Sequence, residues 1–254
     1  MRHSLPVCEG PSLNFVKRRS NNGGLSAAFQ RVVRSALRPI RTGRFLYDKA
    51  SSREYVASSY GVLLRANWND ATFRFCYFGE YGRFYSDHLA SLDRSFHFVD
   101  IGANQGLYSL IAERNENCAG VVAFEPVGET YEILSANVKA NGAEGRIETI
   151  DAAVSQESGS EEMLVPQAHS GRARLENIDW DADSRVEQVR TTTIAEVSEH
   201  LVEGVDVVVK VDVEGHEEVV LRQIATWDEV ARVVSIFYEV NDDWSDPGCI
   251  EGIL

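Results

Sequence analysis

Apolar residues in this chain fall into short unbroken runs that alternate with stretches where they recur every three or four positions. From Phe96 onward the alternation is regular. The runs predict strands near 96–101, 120–125, 146–151, 205–213 and 231–240, and the 3.6-residue spacing predicts helices near 106–117, 128–140, 193–202 and 215–224. Strands without polar alternation suit a sheet covered on both faces, so the pattern predicts an α/β fold with a parallel, Rossmann-like sheet and flanking helices. Between Ala153 and Val189 the order weakens into Ser-, Gly- and acid-rich sequence, expected to be an insertion with short strands and an active-site loop.

Upstream of Phe96 the pattern is less regular. Gly61–Ala66 and Ala71–Phe78 read as two strands of a hairpin joined through Asn67-Trp68-Asn69-Asp70, and Arg83–Leu89 as an aromatic lead-in. Residues 1–24 show no period and read as flexible. Apolar positions from Leu25 to Leu37 then predict an amphipathic helix with Arg31, Arg34 and Arg38 mostly between them, stopped by Pro39. Three segments follow: a basic leader over 1–50, a hairpin and lead-in over 51–95, and the α/β domain over 96–254.

Charge sharpens this division. Residues 1–50 hold ten Lys or Arg against two acids, while the other 204 residues carry 15 basic and 37 acidic side chains. An acidic body of this kind argues against duplex nucleic acid as a partner, since phosphate contacts need a basic footprint. The basic helix has two readings, packing on the domain or contact with a membrane surface through residues 25–38. The four cysteines, Cys8, Cys76, Cys118 and Cys249, show no metal-ligand spacing and read as thiols in a reducing compartment. No run approaches the roughly 18 apolar residues of a membrane span, and polar residues 20–24 stand where a secretory signal needs an apolar core. A soluble cytoplasmic protein is expected.

The candidate chemistry lies where strands end. Phe98-Val99-Asp100-Ile101 closes on Gly102-Ala103-Asn104-Gln105-Gly106, and Leu107 and Tyr108 open the next helix. An acid before a glycine turn suits a ligand carrying an ammonium group better than a pyrophosphate, which favours S-adenosylmethionine over a dinucleotide. Asp100 is expected to orient the turn and accept from the ligand ammonium or backbone N–H groups, with Gly102 and Gly106 admitting a close ligand. Asn104 and Tyr108 are candidates for its amino-acid end, although Tyr108 has an equal reading as core. Glu125 ends the second strand, where a carboxylate suits two ribose hydroxyls in either cofactor class. Asp151 and Ala152 follow the third strand, as an adenine contact or as a simple turn.

A second cluster, Lys210-Val211-Asp212-Val213-Glu214-Gly215-His216, closes the most apolar strand. Asp212, Glu214 and His216 are the candidate catalytic residues, each placed to take a proton from an alcohol as it is alkylated. His216 has a competing reading as a helix cap. With no His-rich constellation, no metal is expected. Glu239, Asn241, Asp242 and Trp244 have the composition of a polar acceptor site or of a solvated loop.

At these residues the chain resembles the FkbM family of S-adenosylmethionine-dependent methyltransferases. The likeness runs through Val99–Ser109, Ala123-Phe124-Glu125-Pro126, Leu134, Asn137, Asn141 and Val211–Glu217, over roughly residues 80–242. It implies a class I methyltransferase sheet and O-methylation of a hydroxyl on a small molecule, sugar or glycan. It also implies cofactor contacts from Asp100, Gly102, Asn104, Gly106 and Glu125, and a methyl-transfer site bordered by Asp212, Glu214 and His216. The helix and closing antiparallel strands usual after the fifth strand are not evident, so a fragment of a longer protein is expected. Two alternatives stand beside this reading: a nicotinamide- or nucleotide-sugar-dependent enzyme on a related fold, and a non-catalytic scaffold.

Overall fold

A computed structural model describes residues 14–18 (backbone only), 42–166, 171, 173 and 184–239, Glu239 again without its side chain. Its strands are β1 (Asn14–Arg18), β2 (Tyr55–Ala57), β3 (Leu63–Arg65), β4 (Phe96–Ile101), β5 (Cys118–Phe124), β6 (Ile147–Ile150), β7 (Ala153–Val154), β8 (Gly159–Pro166), β9 (Ser184–Thr192), β10 (Asp206–Val211) and β11 (Val233–Glu239). The helices are α1 (42–50), α2 (Ala71–Phe78), α3 (Phe84–Ser91), α4 (Leu107–Glu113), α5 (Gly128–Ala140), α6 (Ile194–Val197) and α7 (Glu217–Ala225). The main sheet runs β1-β11-β10-β4-β5-β6, with every pairing parallel.

Side-chain alternation along these strands splits the core in two. Phe96, Phe98, Val121, Ala123, Val208 and Phe237 face the side covered by α2, α3, α4 and α5. Val99, Ile101, Val122, Val207, Val209 and Val211 face the side covered by α6 and α7. All six residues of β4 are buried, as expected for a central strand of a doubly covered sheet. The chain moves outward from β4 through β5 to β6, then returns to the other side of β4 to lay down β10 and β11. The strand order therefore reverses between β4 and β10, the switch point where open α/β sheets leave a crevice at the carboxyl ends of their strands.

The domain's predicted strands and helices are all present within a few residues, and the insertion forms the small sheet β7-β9-β8. Two expectations are corrected. Ala71–Phe78 is the helix α2, so the hairpin is β2 with β3. Asp70 accepts a hydrogen bond from the Phe73 N–H at 2.7 Å, and Gly79 closes the helix in the left-handed region. These two caps and the buried set Thr72, Phe73, Cys76 and Tyr77 outweigh the β propensity of an aromatic-rich sequence. The second correction concerns the leader: Asn14–Arg18 is not irregular but pairs in parallel with Ser235–Glu239 at the sheet edge. The predicted helix over 25–37 lies outside the described residues, as do Asn241, Asp242 and Trp244.

Candidate active site

The turn after β4 is built to lie against the end of β10. Gly102 has φ +77°, and a Cβ there would stand 2.0 Å from the Asp212 carbonyl oxygen. The closeness that requires glycine is thus to the neighbouring strand. Gly106, at φ +81°, caps α4, and a Cβ on it would meet Leu134 of α5 at 2.5 Å. Asn104 also takes a left-handed conformation, φ +50°, and its side-chain oxygen accepts from the Gln105 N–H.

Lys210 fastens the two strand ends together. Its Nζ donates to Asp100 Oδ1 at 3.1 Å and to the Gly102 carbonyl at 2.9 Å, and lies 3.4 Å from Asp212 Oδ2. The Lys210 side chain is 3% exposed, Asp100 is fully buried and Asp212 is 32% exposed. Burial works against the Lys210 ammonium, but Asp100 and Asp212 override it and hold the group above the ordinary lysine value. Ser109 donates to the other Asp100 oxygen at 2.6 Å. Both Asp100 oxygens are therefore engaged from within the fold, and Lys210 links Asp100 to the part-exposed Asp212.

Glu125 knots the next strand end to the same turn. Its Oε2 accepts from the Asn104 N–H at 2.9 Å and its Oε1 from the Val127 N–H at 3.0 Å. Burial raises its pKa to about 7, although these hydrogen bonds and Lys210 pull the other way. Across the crevice, Asp70 accepts from Gln105 Nε2 at 3.1 Å and so ties α2 to the turn. Asn137 of α5 donates to the Gln105 carbonyl and accepts from the Arg65 N–H, while Asn141 pairs with Leu63 on β3.

These contacts frame a cleft of about 440 Å³, open to solvent, at the carboxyl ends of β4, β10 and β11. Its floor is Gly102–Gln105 with Lys210 and Asp212, and its walls include Tyr108, Phe237 and, from α2, Thr72 and Cys76. Of the sequence-derived candidates, Gly102, Asn104, Tyr108 and Asp212 line it. Gly106 and Asp100 support the floor from behind, and Glu125 is one hydrogen bond away. The structure does not bring the others to this cleft. Asp151 is exposed, with its carbonyl accepting from Arg190, and Ala152 is fully buried. Glu214 sits in the following turn at φ +48°.

His216 opens α7 as its N-cap, and its Nε2 lies 3.3 Å from Ser155 Oγ on the insertion side. Ser155 spends its one hydroxyl proton on Glu161, so His216 Nε2 is the donor to it. Glu217, behind the Asp212 turn, accepts from the Gly215 N–H and is raised to about 7 by burial. Sequence reasoning named Lys210 in the charged cluster that closes its strand without finding its partner, and it passed over Gln105 and the α2 wall. A lone cation inside Val207-Val208-Val209-Lys210-Val211 is the signal for Lys210, since a charge on a doubly covered strand needs a buried partner.

A family model described as methyltransferase FkbM domain matches residues 100–252. Methyltransferase sdnD of Sordaria araneosa is 34% identical over 83 residues, covering 32% of this chain and 32% of that protein. The chain thus spans about a third of the length of this curated relative. Among solved structures, methyltransferase FkbM from Methylobacillus flagellatus is 18% identical with a TM-score of 0.36, covering 59% of this chain and 36% of that one. Trm5 of Methanocaldococcus jannaschii, solved in complex with adenosine, is 18% identical with a TM-score of 0.28 over 39% of this chain and 30% of that one.

Proposed function

The chain belongs to the FkbM family of methyltransferase domains, and from that membership we propose that it is an S-adenosylmethionine-dependent O-methyltransferase acting on a hydroxyl of a small molecule, sugar or glycan. The observation that carries this reading is the meeting of the glycine turn and Asp212 in one cleft at the switch point of the sheet. The residues present fit the cofactor. The cleft gathers amide, carboxylate and aromatic groups at the carboxyl ends of the strands, and Gln105 Oε1 is a buried acceptor with no hydrogen-bond partner among the described residues. A pyrophosphate would instead meet the carboxylate side of this floor, which disfavours a nicotinamide dinucleotide.

In this account Gly102, Asn104, Gln105 and Tyr108 hold the amino-acid end, and Glu125 accepts from the ribose hydroxyls. Bound there, S-adenosylmethionine supplies an electrophilic methyl group on a sulfonium. The protein's part is alignment and proton removal. Asp212 is the candidate base that lines the cleft, so it takes the proton from the acceptor hydroxyl as the oxygen is alkylated. Asp100 acts as a positioning residue through Lys210, and His216 and Glu217 hold the turn that carries Asp212.

The test is transfer of isotopically labelled methyl from S-adenosylmethionine to a panel of polyhydroxylated metabolites and glycans, with products identified by mass. Label on an oxygen of the acceptor, lost in Asp212→Asn, is the expected result. Label on nitrogen or carbon, or none with any acceptor while the cofactor binds, contradicts O-methylation.

A further inference from the structure

We propose that the Asp100–Lys210–Asp212 cluster selects the charge of the ligand's sulfur, holding the sulfonium of S-adenosylmethionine in preference to the neutral thioether of S-adenosylhomocysteine. The inference rests on the cofactor reading above and goes beyond it, because it assigns donor–product discrimination to two residues of the floor and the acid behind them. Two carboxylates and one ammonium leave a formal charge of −1, with the ammonium held between them at 3.1 and 3.4 Å. Lys210 is the one cation among the described residues that line the cleft, and it is already committed to both acids and the Gly102 carbonyl.

A second observation points the same way. Asp70 carries a carboxylate that can only accept, so the Gln105 amide must present Nε2 to it, and this fixes Oε1 as the other end. Gln105 is 1% exposed and lines the cleft, and its Oε1 meets no donor among the described residues. An acceptor dipole is therefore buried beside a floor of net negative charge. The surplus carboxylate is Asp212, part-exposed at the cleft, where a positive ligand is attracted to the net charge and a neutral one is not.

When the methyl group leaves, sulfur keeps the electron pair of the broken C–S bond and becomes neutral. The attraction to the floor is then lost, and the product is held less tightly than the donor. The amino-acid ammonium is common to both ligands, so their affinity ratio isolates the contribution at sulfur.

Calorimetric titration of wild type and Asp212→Asn with each ligand tests this, with thermal melting to confirm that the variant is folded. Neutralising Asp212 is expected to lower the ratio of S-adenosylmethionine to S-adenosylhomocysteine affinity about tenfold, roughly 1.4 kcal/mol, with the homocysteine ligand still bound. Asp212→Glu is expected to restore the preference. Equal weakening of both ligands, or an unchanged ratio, overturns the selection and leaves the cofactor reading standing. Failure of wild type to bind either ligand overturns both.

Discussion

At Gly102 two demands meet that no other residue satisfies. The backbone is left-handed, and the space a side chain would fill is occupied by the Asp212 carbonyl. Gly102→Ala is therefore expected to lose about 2–4 kcal/mol from backbone strain and overpacking and to separate the turn from β10. Thermal melting with S-adenosylhomocysteine titration checks this, and a variant as stable and as tightly binding as wild type contradicts it. The glycine was legible in the sequence; its reason was not, because the sequence shows a ligand turn but not the strand across from it. Lys210 was visible in the charged cluster at its strand's end, but its partner was not, for the same cause. Its pairing with Asp100 depends on the register of β10 against β4, where the two residues stand side by side. His216 reads as a base by its chemistry, and the structure turns its Nε2 to Ser155 on the insertion side.

The second helix shows how an element is misread and what its ends contribute. Ala71–Phe78 carries strand-like residues, and its helical character is set by caps and by tertiary burial. Asp70 serves the Phe73 N–H and the Gln105 side chain and, through that side chain, sets the orientation of the cleft floor. Asp70→Ala should cost about 1 kcal/mol as a lost N-cap. It should also release Gln105 to rotate, weakening S-adenosylmethionine binding beyond what Asp70→Asn does. Asparagine keeps an acceptor for Phe73, so equal cofactor affinity in the two variants would count against a role for Gln105 orientation. The core strands and helices of the domain were read directly from apolar runs, because burial on both faces imposes the pattern locally. The edge strand β1 was not, since Asn14–Arg18 finds its partner more than 200 residues away.

Across the whole molecule, buried ionisable groups tie stability to pH in two opposing ways. Glu125 and Glu217 are raised by burial from 4.5 to about 7. Between those values the folded state keeps protons that the unfolded chain gives up, so their contribution is full below about pH 4.5 and is lost as pH rises through 7. His97 is lowered to about 4, chiefly by burial. Its contribution is full above the ordinary histidine value of 6.5 and is lost as pH falls toward 4. Glu217→Gln removes one of the acidic contributions, so the variant should gain on wild type as pH rises from about 5 to about 8, by up to about 3 kcal/mol. A stability difference that stays constant over this range contradicts the assignment.

A glycine turn, a clamped lysine and an acid at the end of β10 together form the floor of the proposed cofactor cleft. The most direct measurement is a structure with S-adenosylhomocysteine bound. The thioether sulfur is expected beside Asp212, the amino-acid group over Gly102–Gln105 and the ribose hydroxyls on Glu125. A ligand seated anywhere else on the molecule, or in this cleft with its ribose turned away from Glu125, would contradict this placement.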